Sequence, residues 1–353
     1  MYLTQGLHRS VQQTPNQPST IFGSRVRTFA ETGERVARLA GALRELGVAP
    51  GDRVAILSLN SDRYHEFSLA VPWAEAVFVP VNIRWAVPEI SYSLVESEAR
   101  LLFVDDTFAP LVPALREQYP DLSAVIYCGD SEPPEGTLGY EDLVAHADPI
   151  EDPRRGGDTL AGIYYTGGTT GRPKGVMLSH TNLLVSALGS TATGYFVDGG
   201  RLLHACPMFH LADGAAGIAQ TAVGGTHVIV PAFEPVAVMR AISEHRVTSA
   251  LLVPTMLGMM VNHPDAGCYD LSSMRNMIYG AAPMSEPVLE KSMKLFPRAS
   301  FTQAYGMTET SPIITLLSPE DHNDPKRRRS AGRATPHAEI RVVDFDDEQA
   351  PRG

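Results

Sequence analysis

Along most of the chain, short apolar runs rich in β-branched residues alternate with stretches of helical period. Leu39, Leu43 and Leu46 fall on one face of a helix over residues 38–46, and Gly47 stops it. Behind the turn Pro50-Gly51-Asp52, the unbroken apolar run 54–57 reads as a buried strand. The pattern continues with a helix near 64–74, a strand at 77–81, and a helix opened by Pro88 with Ile90, Leu94 and Val95 inward. Strands follow at 101–104 and 124–127. Residues 133–157, rich in Pro, Gly, Asp and Glu, read as a surface connection. Beyond it come strands at 163–165, 202–206, 227–230, 250–253, 277–279 and 301–305, with helices at 236–245 and 285–296, the second N-capped by Ser285. After Pro319 a polar stretch leads to an alternating strand at 339–344. Strands separated by helices make βαβ units, so the expected fold class is α/β with mostly parallel sheets. The expected division is a first lobe at 1–157, a second at 158–318, and the start of a β subdomain at 319–353.

The chain's 353 residues leave room for more than one subdomain. With 29 Lys+Arg against 40 Asp+Glu the net charge is −11, which argues against a general nucleic-acid or membrane-surface binder. A small anionic ligand stays open, because local backbone dipoles decide that. Cys128, Cys206 and Cys268 lie far apart and give neither a disulfide framework nor a metal-ligand spacing. The polar first twenty residues lack a signal-peptide core, and the most apolar stretch, 69–81, falls short of the ~20 residues a membrane span needs. A soluble cytoplasmic protein is expected.

The most informative segment is Tyr165-Thr166-Gly167-Gly168-Thr169-Thr170-Gly171-Arg172-Pro173-Lys174-Gly175. Glycines let a backbone turn tightly and aim N–H groups at a phosphate; threonines add hydroxyls, and Lys174 adds a charge. It is not a Walker A loop, since Pro173 precedes the lysine and a glycine follows it. No G-x-G-x-x-G occurs either, so a Rossmann dinucleotide fingerprint is unsupported.

This segment resembles the phosphate loop of the adenylate-forming superfamily, which comprises acyl-CoA synthetases, firefly luciferase and the adenylation domains of nonribosomal peptide synthetases. Further motifs agree in order. Pro80-Val81-Asn82-Ile83-Arg84 resembles acyl-CoA synthetases, and Pro207-Met208-Phe209-His210 resembles the segment beside their acyl pocket. Tyr279-Gly280-Ala281-Ala282-Pro283 is similar to the turn along the adenine, and Gln303-Ala304-Tyr305-Gly306-Met307-Thr308-Glu309 to the second nucleotide motif. Ala331-Gly332-Arg333 matches a later marker. Gly167 departs from the usual serine.

The resemblance implies an acyl-CoA synthetase large domain: two α/β lobes and the start of a β-barrel-like subdomain. It implies an acid–thiol ligase that takes a fatty or aryl carboxylic acid, ATP with Mg²⁺, and CoA. Another adenylase of the superfamily, for an aryl or amino acid, and a non-catalytic nucleotide-binding remnant are the alternatives. By resemblance, Thr166, Gly167, Gly168, Thr169, Thr170, Gly171 and Lys174 hold the outer phosphates. Gly280, Ala281, Ala282 and Tyr305 sandwich the adenine, and Pro283, Gln303, Ala304, Gly306 and Met307 belong to the same ATP/AMP site; Thr308 donates to the α-phosphate and Glu309 ligates Mg²⁺. His210 is expected to orient the carboxylate, so the implied catalytic set is Lys174, His210, Thr308 and Glu309.

His210, Asp213, Gly214, Val253, Gly280 and Ile313 are expected to line the acyl pocket. The small residues of 211–217 either leave substrate volume or permit tight helix packing. Relatives that activate amino acids place an Asp right after the aromatic residue, where this chain has Leu211, so an uncharged tail is favoured. Arg84, Arg327 and Arg328 are candidates for the CoA phosphates, although a run such as 326–329 is more often a solvated loop. The resemblance leaves room for a homodimer and implies no nucleic-acid partner. The family continues with further strands, a hinge and a small C-terminal domain that residues 1–353 do not include, so slow or absent ligation by these residues alone is expected.

Overall fold

The computed structural model describes residues 1–167, 171–196 and 199–351. Two twisted sheets are layered with helices in an αβαβα arrangement. The first runs, edge to edge, Leu138–Gly139, Ala124–Tyr127, Leu101–Val104, Arg53–Leu57, Val77–Pro80, Leu160–Thr166, Lys174–Ser179. The second runs Arg333–Ala334, Ile313–Leu317, Ser300–Gly306, Asn276–Gly280, Ser249–Leu252, Arg201–His204, Thr226–Ile229, Pro18–Phe22, Arg25–Thr28. Central pairings are parallel and the antiparallel ones lie toward the edges, as the α/β reading expects. Central strands read as continuous apolar runs because both faces are covered: Val54, Ile56, Leu102 and Val104 are fully buried.

Local signals set the helices. Thr28 and Glu31 form a reciprocal capping box that opens Phe29–Glu45, and Ser61 caps Asp62–Trp73 through the Tyr64 N–H. Ser285 stands at the N-cap of Glu286–Leu295, but its hydroxyl makes no capping bond. Val95, expected inward, is about half exposed, while Ile90 and Leu94 are buried.

Sheet membership does not follow the expected lobe boundary at 157. Leu160–Thr166 and Lys174–Ser179 complete the first sheet, whereas the N-terminal hairpin Pro18–Thr28 joins the second beside Thr226–Ile229. The hairpin is bound to the first lobe by buried charge. Asp62 and Glu66, both fully buried, receive Arg25 (2.9 Å) and Arg27 (3.1 Å) of the hairpin, Arg35 of the following helix also binds Glu66 (2.7 Å), and the Tyr140 hydroxyl donates to Glu66 at 2.6 Å. Residues 133–157 are therefore more than a surface connection: they carry the helix Tyr140–His146, and Tyr140 is buried.

The expected β-barrel-like start is corrected too. Arg333–Ala334 extends the second sheet at its edge, and no barrel closes among the described residues. The expected strand at 339–344 is absent, and Ile340 and Val342 are exposed. Alternation there has no neighbouring strand to pair with beyond an isolated bridge of Val343 with Gln349. Among the described residues no helix is long and apolar enough to cross a membrane.

Candidate functional site

The site lies at the C-terminal ends of the second sheet's parallel strands, where open α/β sheets bind ligands. Asn276–Gly280 and Ser300–Gly306 run side by side with Gly280 opposite Ala304. A Cβ at Gly280 would fall 2.2 Å from the Ala304 carbonyl oxygen, so the position needs glycine. Ala281 then turns the chain with φ of 64°. A groove of about 770 Å³ opens between this turn and the next strand, lined by Ala281, Ala282, Pro283, Gln303, Ala304 and Tyr305. The Tyr305 ring is half exposed into it. Thr308–Thr310 forms a 3-10 turn whose entry is fixed by the Met307 N–H donating to Thr310 Oγ1 at 3.0 Å. This leaves Glu309 exposed and Thr308 partly so.

A second cavity, about 390 Å³, shares Ala281, Ala304, Tyr305 and Gly306 with the groove, so the two adjoin. Its walls include Arg84, His210, Leu211, Val253, Gly280, Met307, Thr308 and Ile313. His210 is the N-cap residue of the helix Leu211–Ala222, and its carbonyl accepts the N–H groups of Asp213 and Gly214, both at 3.1 Å. Although His210 is open to the cavity, the surrounding protein desolvates it and lowers its pKa; Arg84 adds to the lowering and Asp213 opposes it. The approach to His210 is held by Asn60, whose amide donates to the Cys206 carbonyl and accepts the Met208 N–H, both at 2.8 Å. Nothing in the residue pattern singled out Asn60, since its partners lie some 150 positions away.

Thr166 and Lys174 face one another across the antiparallel strands that flank the glycine-rich loop. Gly167 follows the first strand, Gly171 has φ of 148°, and the Arg172 guanidinium lies 5.2 Å from the Tyr92 ring centroid. Gly168, Thr169 and Thr170 lie outside the described residues. Neither Thr166 nor Lys174 lines the two cavities. The Tyr165 ring does pack edge-on against Trp85, next to Arg84.

Two expectations are corrected. Asp213 and Gly214 do not line the 390 Å³ cavity; they border a separate apolar space of about 50 Å³, too small for a ligand of ordinary size. Helix direction is the reason. Gly214 lies against the Tyr164 hydroxyl and Gly217 against the His204 ring, while Ala212 lines the larger cavity and Ala216 joins the apolar cluster of Leu251 and Ile278. The basic residues do not form one patch either. Arg84 belongs to the His210 cavity, and Arg327 is paired with Asp321 (2.6 Å) and Asp324 (2.8 Å). Arg328 and Arg329 each bind one oxygen of Glu286 at 3.0 Å, on the rim of the groove.

Residues 7–353 match the sequence family described as AMP-binding enzyme. The chain belongs to that family. It is 35% identical over 352 residues to a feruloyl-CoA synthase of an Amycolatopsis species, covering 98% of this chain and 67% of the relative. It is 32% identical over 349 residues to the fatty acid–[acyl-carrier-protein] ligase ScoC of Streptomyces coeruleorubidus, covering 97% and 65%. The chain thus spans about two thirds of the length of these curated relatives. In three dimensions it is similar to the N-terminal domain of FACL13 from Mycobacterium tuberculosis, with a TM-score of 0.89 and 29% identity over 99% of this chain and 86% of that one.

Proposed function

We propose that this member of the AMP-binding enzyme family binds ATP and an aryl or fatty carboxylic acid, forms the acyl-adenylate, and serves a ligase that passes the acyl group to CoA. The observation that carries this reading is that the nucleotide-sized groove adjoins the more apolar cavity across shared walls at Ala281, Ala304, Tyr305 and Gly306, with Thr308 on the cavity side. In the first step a carboxylate oxygen bonds to the α-phosphorus while the bond to the bridging oxygen breaks and its electron pair leaves with pyrophosphate. In the second, a thiolate adds to the acyl carbon and AMP departs. Both steps shift charge between oxygens, so positioned donors and cations dominate the catalysis.

The residues fall into roles. Tyr305 and the Gly280–Ala282 backbone hold the adenine flat, with Pro283, Gln303, Ala304, Gly306 and Met307 forming the rest of its enclosure. Thr308 offers its hydroxyl to the α-phosphate, and Lys174 with the glycine-rich loop meets the outer phosphates. His210 and Arg84 orient the carboxylate, with Val253 and Ile313 as apolar wall. Among the described residues the wall of this cavity carries no carboxylate, so a substrate amine would have no counter-ion; this favours an uncharged tail over an amino acid.

No cluster of three metal-ligating side chains occurs among the described residues. Glu309, an exposed carboxylate next to Thr308, still fits Mg²⁺, which characteristically takes one or two carboxylates together with substrate phosphates. Bound there, Mg²⁺ would neutralise phosphate charge.

A thermal-shift panel of non-hydrolysable acyl-adenylate mimics, graded in tail length and aromatic character, tests the reading. A mimic at 100 times its Kd should add about 2.7 kcal/mol of stability. One preferred tail would identify the acid class. If neither ATP nor any mimic raises the Tm, the proposal fails.

A smaller effect is expected at the rim. Glu286→Gln removes the charge that holds Arg328 and Arg329, and exposed pairs of this kind are worth up to about 1 kcal/mol. Mimic affinity should therefore change by about fivefold at most and, with Arg328 and Arg329 unneutralised, become more sensitive to salt, as read by titration at two ionic strengths.

A further inference from the structure

Beneath the His210 cavity lies a line of buried polar side chains to which the proposed reaction assigns no role. Asp213 Oδ2 lies 2.6 Å from His204 Nδ1, His204 Nε2 lies 2.9 Å from His227 Nδ1, and His227 Nε2 lies 3.1 Å from Thr221 Oγ1. Thr221 Oγ1 in turn donates to the Gly217 carbonyl at 2.9 Å. All four side chains are at most 5% exposed. Asp213 and Thr221 belong to the first and last turns of the helix Leu211–Ala222; His204 and His227 come from adjacent strands of the second sheet. The line therefore fastens both ends of that helix to the sheet. Gly217 makes room, since a Cβ there would stand 3.2 Å from the His204 ring.

We propose that Asp213 and His204 are positioning residues for His210, and that with His227 and Thr221 they form a relay closed by one shared proton. The proton count follows from the geometry. Asp213 to Gly217 is a series of four links, each holding one hydrogen, and the Gly217 carbonyl can only accept. If Thr221 donates to Gly217, then His227 must donate from Nε2 to Thr221. His227 Nδ1, now bare, must receive Nε2–H of His204. The last hydrogen lies between His204 Nδ1 and Asp213. Filling all four links takes four hydrogens and leaves no net charge, either as carboxylic acid beside neutral imidazole or as carboxylate beside imidazolium. Removing one hydrogen leaves a net buried negative charge and one link empty, and for Asp213 to keep a donor His204 must carry its hydrogen on Nδ1 and leave Nε2 bare. Burial penalises that form, so the filled relay is the one the fold selects.

The surroundings supply no other partner for the charge. The His65 ring lies 4.1 Å from that of His227, and burial pushes its pKa down to about 3, so it stays neutral. Burial also lowers His227, and it raises the Tyr64, Tyr164 and Cys206 groups that face the cluster. Of the charged neighbours, Asp62 acts on His65 and is itself held by Arg25, and Arg84 acts across the cavity on His210. Asp213 is thus fixed one helical turn after His210, and its N–H holds the His210 carbonyl.

The positioning claim rests on the proposed adenylate site; the proton count does not, and the test separates them. In ¹⁵N-histidine-labelled protein at pH 7, the expected spectrum shows protons on Nε2 of both His204 and His227. A hydrogen on Nδ1 but not Nε2 of His227 overturns the relay whatever the protein binds. For positioning, an aryl-adenylate mimic is titrated into wild type, Asp213→Asn and Asp213→Ala. The Asn amide can donate to His204 Nδ1 and keep every link filled, so affinity within about threefold of wild type is expected. Asp213→Ala opens the first link, and a loss of at least about tenfold is expected. Equal binding by wild type and Asp213→Ala overturns the positioning role. If Asp213→Ala does not fold, Thr221→Val opens the opposite end. The His227 Nε2–H resonance should then move, because its acceptor is gone, and an unshifted signal overturns the relay. Wild type that binds no mimic refutes the adenylate site and with it the positioning role, but leaves the tautomer result standing.

Discussion

Replacing Glu309 by Gln is expected to lower adenylation, read as ATP–pyrophosphate exchange, by about 10²- to 10³-fold, the range for losing one group that stabilises transition-state charge. The side chain is exposed and its turn is held by the Met307 N–H donating to Thr310 Oγ1, so the substitution leaves the fold intact. Two readouts separate chemistry from binding. Mimics that lack the outer phosphates should bind as before. The rise in Tm produced by ATP should lose the part that depends on added Mg²⁺. Exchange within threefold of wild type, with the Mg²⁺-dependent rise retained, would reject Glu309 as the metal-binding carboxylate.

A second large effect is expected at Gly280. Its strand pairs with Ser300–Gly306 in register, and a Cβ would sit 2.2 Å from the Ala304 oxygen and 3.6 Å from the Ala304 Cβ. The near atom belongs to backbone inside a sheet, so no side chain can swing away. Gly280→Ala should cost about 1–3 kcal/mol in urea unfolding, as overpacked sites do. Because the displaced strands frame both cavities, affinity for adenylate mimics should fall by more than about a hundredfold, a further loss beyond the stability change. Gly267→Ala is the matched control: nothing lies within 4 Å of its Cβ, and a change under about 0.5 kcal/mol is expected. Unaltered mimic binding by Gly280→Ala would show that the groove tolerates the methyl and that the ligand lies elsewhere.

The sequence carried the central strands well, because a strand covered on both faces must be apolar throughout; Val54 to Leu57 and Leu101 to Val104 are legible without their neighbours. The N-terminal hairpin was not. Ser19 and Thr20 are polar yet buried, and Arg25 and Arg27 point to buried carboxylates, so the stretch looks like a solvated loop until distant partners are known. At 339–344 alternation promised a strand where no sheet edge receives one. At the site, motif order located Gly280, Tyr305, Thr308 and His210 around adjoining cavities. It could not apportion the small residues of 211–217, because substrate volume and helix packing require the same residues. Only the direction of each Cα–Cβ bond separates Ala212 from Gly214 and Gly217. His204 and Asp213, nine residues apart on a strand and a helix, match no recurring spacing and became visible only as a contact.

The place of the N-terminal hairpin bears on how the chain is made. Ile21 pairs with Val228, so during synthesis the strand Pro18–Phe22 waits for a partner roughly two hundred residues behind it. At about 5–20 residues per second, that interval lasts on the order of ten seconds or more. The first sheet can assemble meanwhile, since its strands lie within residues 53–179. The second cannot finish until Thr226–Ile229 has emerged to receive the waiting strand. A nascent chain halted before that point would keep the Pro18–Phe22 edge unpaired, a natural docking place for a holdase chaperone or for another stalled copy.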